Sequence, residues 1–381
     1  YGYDLLWMLL LITIGLAVVQ EMAGRLGAAT GRGLLDLIRA RFGIGWALFA
    51  VVVVVVANGG VIITEFAGIG AAAELFGLSK YVAVPISAVV MWYLVIGGSY
   101  NQVEKVFLAM TLVFFAYPAA AILAHPKWGD VARGTFIPTL RADPDYILLF
   151  VGTVGTTITP YMQLFQQSGV VEKGVARQHY GPERIDAYVG SVFSNLIAAF
   201  IIIATAATLH VAGKTDIDSA QAAAQALKPV AGRFAEALFA IGLLGASLLA
   251  AGVLPLATAY SLSETFGMRK GVNLDFRRAR FFLGTFSVLI ALGAAAALIP
   301  NVPLIGLLIG VQVLNGILLP IILVFLLLLL NDERLVANLR NGRINNILGW
   351  GTTVLVTIAV VVLLGSQLLD LFGIHLLGKG G

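Results

Sequence analysis

The chain contains no cysteine and few charged residues. Without cysteine, neither disulfide bonds nor thiolate ligands for a metal ion can form. Charged side chains make up only 12% of the 381 residues, whereas about a quarter is usual in soluble domains. Apolar residues account for 59%. A surface so poor in charge cannot face water over most of its area, so we expect a chain that is embedded in a lipid bilayer.

Long apolar runs recur along the whole chain. A helix needs about 20 mostly apolar residues to cross the hydrocarbon core of a membrane. Residues 51–57 and 323–330 are continuously apolar and lack the alternation of a membrane β-strand. The pattern predicts a single all-helical (all-α) transmembrane domain over residues 1–381. Its ten membrane helices have predicted ranges of 5–26, 45–76, 79–98, 102–124, 146–171, 186–212, 233–263, 281–300, 303–331 and 346–373.

Lysine and arginine are unevenly divided between alternate loops. Cytoplasmic loops of membrane proteins are enriched in these residues. With the loop after the first helix in the cytoplasm, the loops on that side hold 4, 1, 3, 5 and 3 of the 24, or 16 in all. This orientation leaves Tyr1 outside the cell with no helix to carry it there. We therefore expect an eleventh helix before Tyr1, in a multi-pass protein of the cell inner membrane or plasma membrane.

The fifth predicted helix, 146–171, would be a poor continuous helix. Residues 152–161 include four threonines and two glycines, and Pro160 removes a backbone donor and clashes with the preceding turn. Gln163, Gln166 and Gln167 follow, and polar side chains are costly in hydrocarbon unless they face a polar path. The pattern predicts an interrupted helix whose oxygens coordinate a cation, as in secondary transporters. A proline kink packed against neighbouring helices is the alternative.

Two further predicted helices carry polar side chains. Gln312 and Asn315 lie three residues apart on one face of the ninth predicted helix, and Pro320 follows them. Asn195 lies within the sixth predicted helix. Each of these side chains either faces the polar site or hydrogen-bonds to a neighbouring helix.

The interrupted segment resembles a motif of a known transporter family. It reads Gly155-Thr156-Thr157-Ile158-Thr159-Pro160-Tyr161, similar to the Gly-Ala-Thr-Ile-Met-Pro-His pattern in the sixth helix of the Nramp divalent-metal transporters. Other segments resemble the family's second and tenth helices. They are Tyr3-Asp4-Leu5-Leu6-Trp7, Gln20 with Ala23-Gly24-Arg25-Leu26-Gly27, and, near the end, Gln312-Val313-Leu314 with Leu319-Pro320. The resemblance therefore covers the whole chain.

The resemblance implies a LeuT-type fold, in which two inverted repeats of five helices enclose an ion site between broken helices one and six. Ten predicted helices with one more before Tyr1 match the family's eleven. The family's first helix carries an Asp-Pro-Gly-Asn motif whose Asp and Asn bind the ion. This motif is absent from the sequence, so these ligands are expected on the helix before Tyr1.

The sequence departs from the family pattern at residues that handle ions. Thr159 stands at the position of the family's metal-binding methionine, and Tyr161 at that of a neighbouring histidine. Glu65 and Gly68 stand at the positions of an acidic pair that handles protons. Because Gly68 and Tyr161 remove two groups that could titrate, we expect facilitated transport by alternating access, driven by the membrane potential without protons. Glu65 either couples protons or is hydrogen-bonded to neighbouring helices.

The loss of the methionine changes the ion that we expect. A thioether favours transition metals, whereas the Thr159 hydroxyl leaves oxygen ligands only. Mg²⁺ takes oxygen ligands and keeps several of its waters, so the pattern resembles the Nramp-related magnesium transporter branch. Mn²⁺ also accepts oxygen ligands and is a second expected substrate. The candidate metal-binding residues are Thr156, Thr159, Tyr161, Gln163, Asn195, Gln312 and Glu65.

Other functions remain as alternatives at this point. They are a proton-coupled Mn²⁺/Fe²⁺ transporter of the ordinary Nramp type, an amino-acid carrier on the same scaffold, and a transporter-like ion sensor. The motifs of metalloproteases and of serine hydrolases are absent, so we expect no enzyme and no cofactor besides the transported ion. The net charge of +4 is scattered and predicts no nucleic-acid partner. We expect a monomer in the bilayer.

Overall fold

The structure is a computed structural model that describes residues 1–97, 105, 112–141, 143–214, 217–228, 232–272, 274–300 and 303–371. Within these ranges, all regular secondary structure is helical. Nine helical segments there are long and apolar enough to cross a membrane. They are Leu6–Thr30, Ile44–Leu75, Lys80–Gly97, Pro144–Glu172, Arg177–His210, Ala235–Phe266, Arg280–Ala297, Leu304–Leu330 and Arg343–Leu369.

These segments confirm nine of the ten predicted membrane helices. The other, 102–124, lies partly outside the described residues, which include only 105 and 112–124 of that range. The assignment of residues 1–381 to one transmembrane domain stays a prediction, as does the helix before Tyr1.

The α-helices are numbered here in chain order. They are α1 (Leu6–Thr30), α2 (Leu34–Phe42), α3 (Ile44–Leu75), α4 (Lys80–Gly97), α5 (Ala116–Leu123), α6 (Trp128–Phe136), α7 (Pro144–Thr157), α8 (Pro160–Glu172), α9 (Tyr180–Thr205), α10 (Ala220–Ala224), α11 (Ala235–Phe266), α12 (Arg280–Ala297), α13 (Leu304–Leu330), α14 (Glu333–Val336) and α15 (Arg343–Leu371). Five 3₁₀ segments are described at Leu112–Phe115, Arg177–His179, Gln225–Leu227, Gly232–Phe234 and Ala337–Leu339, and a π-helical turn at Ala206–His210.

Helix α9 begins six residues before the predicted start at 186. Its first turns are polar, so the apolar run on which the prediction relied starts later than the helix. Pro182 lies near the start, where its fixed φ suits a helix, and Glu183 places a negative charge near the positive end of the helix. Glu183 also forms an ion pair with Lys173 at 3.7 Å. These features explain the early start.

Contacts divide the chain into two compact units, each described by itself. The first unit consists of Tyr1–Leu6, Asn58–Arg133 and Leu196–Leu308. In it α11 packs on α12 and α4, and α12 also packs on α4. Gly293 of α12 lies so close to α3 that a Cβ there would overlap the Ile62 side chain. Lipid is as apolar as these side chains, so close packing rather than removal from water holds such helices together.

The second unit consists of Trp7–Ala57, Gly134–Asn195 and Ile309–Gly381. In it α7 packs on α15, and α2 on α8. A buried ion pair joins Arg25 Nε to Glu21 Oε1 at 3.0 Å within α1. Arg25 also donates to the Leu339 carbonyl and to Asn341 Oδ1, both at 2.6 Å. Buried charges need such partners, and this network ties α1 to the segment that precedes α15.

Candidate cation site at a helix break

The predicted interruption at Pro160 is present in the second unit. Helix α7 ends at Thr157 and α8 begins at Pro160. Between them, Ile158 (φ −116°, ψ 72°) and Thr159 (φ −77°, ψ 148°) leave the helical conformation. The break thus places the carbonyl end of one helix two residues from the amino end of the next.

The break leaves oxygen atoms without their usual partners. Pro160 has no N–H, so the Thr156 carbonyl loses the donor that a continuous helix would provide. Thr159 occupies the N-cap position of α8, but its side chain makes no capping hydrogen bond. Thr159 is only 3% exposed, and its Oγ1 has no hydrogen-bond partner in the described part of the chain. Buried polar atoms without a partner are rare, and a bound ion is one explanation for them.

Gln163 covers the break from the first turn of α8. Its side chain is fully buried, and its amide group lies against the carbonyls of the preceding turn. With its NH₂ directed at them, Gln163 donates to the Pro160 carbonyl at 3.1 Å and to the Thr159 carbonyl. The amide nitrogen therefore supports the break, and the amide oxygen is the atom that Gln163 can provide to a cation.

Helix α13 lies directly against the end of α7. A Cβ on Gly155 would overlap the carbonyl oxygen of Gln312 and the backbone of Gly316, and a Cβ on Gly316 would overlap the carbonyl oxygen of Val151. Only residues without a side chain allow two backbones to approach so closely. This contact brings the Gln312 carbonyl beside the last turn of α7, one residue away from Thr156.

A polar pair on α13 lies beside this contact. Asn315 Nδ2 donates to Gln312 Oε1 at 2.9 Å. Asn315 is fully buried, and its Oδ1 has no hydrogen-bond partner among the residues that the structure describes. Thr159 Oγ1 at the break and Asn315 Oδ1 on α13 are thus two such buried oxygens of the second unit, and Gln167 Oε1, further along α8, is another. Both are neutral oxygens of the kind that hard divalent cations accept.

The remaining candidates of the second unit take other positions. Asn195 of α9 donates through Nδ2 to Thr13 Oγ1 of α1 at 2.9 Å. This is the bond to a neighbouring helix that stood as the alternative to metal binding. Tyr161 is half-buried in the first turn of α8, and the Thr156 side chain is exposed, so at Thr156 the backbone carbonyl is the stronger candidate ligand.

Glu65 belongs to the first unit, on α3. Its carboxyl group lies close enough to the Ser247 hydroxyl of α11 to interact with it. The Ser247 Oγ lies in the space that a Cβ on Gly68 would need. Ser247 is 2% exposed, so this contact is buried. This contact with a neighbouring helix fits the second of the two roles expected for Glu65, and its part in proton coupling stays a prediction.

Two buried polar pairs were missed from the sequence. Asn58 Nδ2 donates to Thr258 Oγ1 at 2.7 Å in the first unit, and both residues are fully buried. The available signal was a lone asparagine after the long apolar run 51–57. The Glu21–Arg25 pair of the second unit could have been found from opposite charges four residues apart in an apolar helix.

The described residues contain no group of three or more His, Asp and Glu side chains that could hold a metal ion. A site built from the described candidates at the break would therefore use neutral hydroxyl, amide and carbonyl oxygens. Such a donor set suits a cation that retains part of its water shell, because few charged ligands compete with the waters.

Known proteins resemble this chain over most of its length. A family model described as natural resistance-associated macrophage protein-like, Nramp, matches residues 1–366. The divalent metal cation transporter MntH of Klebsiella pneumoniae (strain 342) is 26% identical, and the alignment covers 97% of this chain and 87% of that protein. MntH of Erwinia tasmaniensis is 27% identical over 65% of this chain, and the alignment spans only 62% of that relative's length.

The fold is also similar to a solved structure. The crystal structure of a variant of the Eremococcus coleocola manganese transporter matches with a TM-score of 0.72 and 19% identity, covering 98% of this chain and 82% of that chain. At this identity the likeness shows the fold alone. It confirms the predicted all-helical membrane fold of the LeuT type.

Proposed function

The chain belongs to the Nramp family and is a multi-pass membrane protein, and on that premise we propose that it carries divalent metal cations across the membrane. We further propose facilitated, alternating-access uptake of Mg²⁺, with Mn²⁺ as a second substrate, without coupling to protons. One observation carries this proposal. The buried Thr159 hydroxyl, without a partner among the described residues, stands at the break where the family pattern has a methionine.

The choice of Mg²⁺ follows from the ligand chemistry at Thr159. A hydroxyl is a hard oxygen ligand, whereas the thioether that it replaces favours softer transition metals. Mg²⁺ gives up its waters reluctantly and is usually bound through few protein groups. A site of neutral oxygens therefore suits a partly hydrated Mg²⁺ ion.

The candidate residues take different roles in the proposed site. Thr159 Oγ1 and the Thr156 carbonyl are proposed as direct ligands from the break. Gln163 and Gln312 provide amide or carbonyl oxygens beside it, from α8 and α13. Tyr161 and Asn195 are proposed to bind waters that the ion retains, since Asn195 already donates to Thr13.

The absence of proton coupling is proposed from the surroundings of Glu65. Ser247 lies beside this carboxyl group, and its Oγ occupies the space beside Gly68. A second acidic side chain at position 68 would have to displace Ser247. The proposed driving force is the membrane potential, which contributes about 2.3 kcal/mol per charge at 100 mV, and twice that for a divalent cation.

A proton-coupled Mn²⁺ or Fe²⁺ transporter is the second candidate function. It is favoured by the retained Glu65 carboxyl group and by the relatives, which are named as divalent metal cation transporters and as a manganese transporter. In this alternative Thr159 would be tolerated as a ligand for Mn²⁺, and Glu65 would carry the proton.

Cation uptake by proteoliposomes that contain the full-length protein distinguishes uncoupled Mg²⁺ transport from proton-coupled Mn²⁺ or Fe²⁺ transport. The vesicles enclose a Mg²⁺-sensitive dye and a pH-sensitive dye, and Mn²⁺ uptake is followed in parallel. Thr159→Met is compared with wild type, and Thr157→Met is the matched control. The control places the same side chain two residues away, where the native hydroxyl already donates to the Thr153 carbonyl at 2.8 Å.

We expect Mg²⁺ to enter wild-type vesicles without acidification. Thr159→Met should lower the ratio of Mg²⁺ to Mn²⁺ uptake by about tenfold, equal to about 1.4 kcal/mol, whereas Thr157→Met should leave the ratio unchanged. Mn²⁺ entry with acidification and without a Mg²⁺ signal would establish the proton-coupled alternative and exclude the magnesium proposal.

A further inference from the structure

An open cavity of about 490 Å³ lies between the end of α2 and the segment that connects α13 with α15, within the second unit. Its charged lining residues are Arg41, Asp332, Glu333, Arg334 and Arg340. The lining therefore has three cationic and two anionic side chains, a net charge of +1. These charged residues lie in two loops that the distribution of lysine and arginine assigns to the cytoplasm, and the cavity does not include the helix break.

Two of the three arginines are paired within the cavity. Arg41 Nε donates to Asp332 Oδ2 at 2.6 Å, and Arg340 forms an ion pair with Glu333. Burial acts to raise the pKa of Asp332. The Arg334 backbone N–H and the Arg41 guanidinium lower it by more than burial raises it, so the pKa lies below its ordinary value. Asp332 is therefore ionised at neutral pH and holds Arg41 in place.

The guanidinium groups keep donors for a further anion. Each guanidinium has five N–H groups in a fixed fork. Arg41 and Arg340 direct one nitrogen each at their acidic partners, and they are 52% and 56% exposed. Arg334 is the third arginine of a lining with only two acidic side chains, so it accounts for the net positive charge. Several arginines around one opening are suited to the oxygens of a phosphate group, which they bind in bidentate fashion.

A group of aromatic side chains lies beside the cavity. Phe42 lines the cavity, and its ring lies 5.6 Å from that of Phe325. Trp46 packs on Phe325 at 5.9 Å and is 54% exposed. Exposed tryptophan of this kind is enriched where a membrane protein passes from hydrocarbon to headgroups. The cavity thus has a lining with a net positive charge, and aromatic side chains lie beside it.

We propose that this cavity binds the phosphate headgroup of an anionic phospholipid of the cytoplasmic leaflet. The distribution of lysine and arginine puts these loops on the cytoplasmic side, and the cytoplasmic leaflet is the one that carries anionic lipid. A free phosphate ion presents the same oxygens. The aromatic side chains beside the cavity favour the lipid, because its acyl chains would lie against Phe42 and Trp46.

Native mass spectrometry of the full-length protein in detergent tests the proposal. Phosphatidylglycerol, phosphatidylcholine and inorganic phosphate are titrated separately, and the affinity of each lipid is obtained from the bound fractions. Arg334→Ala removes the excess cation without breaking either ion pair. Arg278→Ala is the matched control, since Arg278 is also an exposed arginine beside an acidic residue, Asp275, on a loop assigned to the cytoplasm.

We expect phosphatidylglycerol to bind more tightly than phosphatidylcholine. Arg334→Ala should weaken phosphatidylglycerol binding by about fivefold, the effect of one cation near an anionic surface, and Arg278→Ala should not. Arg334→Lys keeps the charge but loses the bidentate geometry, so it should restore part of the affinity. It also provides a test if Arg334→Ala does not fold.

Three results would overturn the proposal. Equal affinity for the two lipids would remove the basis for a phosphate site. Equal losses from Arg334→Ala and Arg278→Ala would show attraction by the overall surface charge. Binding of inorganic phosphate that displaces phosphatidylglycerol completely, with equal affinity, would assign the cavity to free phosphate. The experiment measures lipid binding only, so it stands whether or not the protein transports Mg²⁺.

Discussion

Two glycine contacts in the membrane helices differ in what lies opposite the missing side chain. Opposite Gly155 are backbone atoms of Gln312 and Gly316, which cannot move without moving α13. Opposite Gly68 is the hydroxyl of Ser247, the end of a small side chain. The first contact fixes two helices against each other at the candidate site. The second makes room for a polar group that serves Glu65, and it can be changed by a single substitution.

Gly155→Ala should have the largest effect of the changes considered. The added methyl group overlaps backbone, so we expect a loss of about 3 kcal/mol in the free energy of unfolding, at the upper end of overpacking costs. Cation uptake should also be lost. Thermal unfolding in detergent and proteoliposome uptake measure both effects. Gly190→Ala is the control, because a Cβ there meets nothing within 4 Å, and it should be neutral or stabilising by up to about 1 kcal/mol.

Gly68→Ala should lower the free energy of unfolding by less than Gly155→Ala, and a second substitution should cancel this loss. In the wild-type background the methyl group meets Ser247 Oγ, and we expect a loss of about 1 to 2 kcal/mol. In a Ser247→Ala background the Oγ is gone, so the same change should be close to neutral. A double-mutant cycle of unfolding free energies gives the coupling. Equal costs in both backgrounds would mean that the Ser247 hydroxyl is not what the methyl group meets, which would contradict the difference between Gly68 and Gly155.

Thr159→Val tests whether the Thr159 hydroxyl is a metal ligand or a group that stabilises the fold. Valine has nearly the same shape but lacks the hydroxyl oxygen. Because that oxygen is buried without a partner among the described residues, its removal should leave the unfolding free energy unchanged or raise it by up to about 1 kcal/mol. Mg²⁺ uptake should nevertheless fall about tenfold. A loss of about 1 kcal/mol or more in the free energy of unfolding, the size of a typical lost hydrogen bond, would indicate that the hydroxyl serves the fold.

The smallest effect is expected at an ion pair outside the membrane helices. Asp332→Asn removes the negative charge that pairs with Arg41, and the cost at pH 7 should be below about 1 kcal/mol, as for exposed pairs. The pKa of Asp332 is lowered from 3.8 by the Arg334 N–H and Arg41 against the opposing effect of burial. Its stabilisation is therefore present above that value and is lost as pH falls through the folded pKa. Unfolding measured from pH 7 to well below pH 3.8 should show the difference between wild type and variant shrinking as the Asp332 carboxylate becomes protonated.

Much of the fold could be predicted from apolar run length alone. That pattern located nine of the membrane helices, because a bilayer requires long apolar segments. The break at Pro160 was predictable for a local reason, since proline lacks an N–H wherever it occurs. The start of α9 was not, because its first turns are polar and owe their helical form to Pro182 and Glu183 rather than to lipid.

The contacts of the candidate site could not be predicted from the sequence. Gly155 and Gly316 are 161 residues apart, and no periodicity indicates that their backbones touch. Whether Asn195 faces an ion or a neighbouring helix depends on where Thr13 lies. In the structure Asn195 is hydrogen-bonded to Thr13. The space beside Gly68 is filled by Ser247 of another helix, which a local pattern cannot reveal.

The two-residue break between α7 and α8 has an electrostatic consequence. The carbonyl end of a helix carries about half a negative charge and its amino end about half a positive charge. At Ile158 and Thr159 these opposite poles lie next to each other. A cation at this point is attracted by α7 and repelled by α8, so the backbone field holds it from one side only. In the proposed transport cycle, this one-sided field would attract the ion without surrounding it with negative charge, which would ease its release.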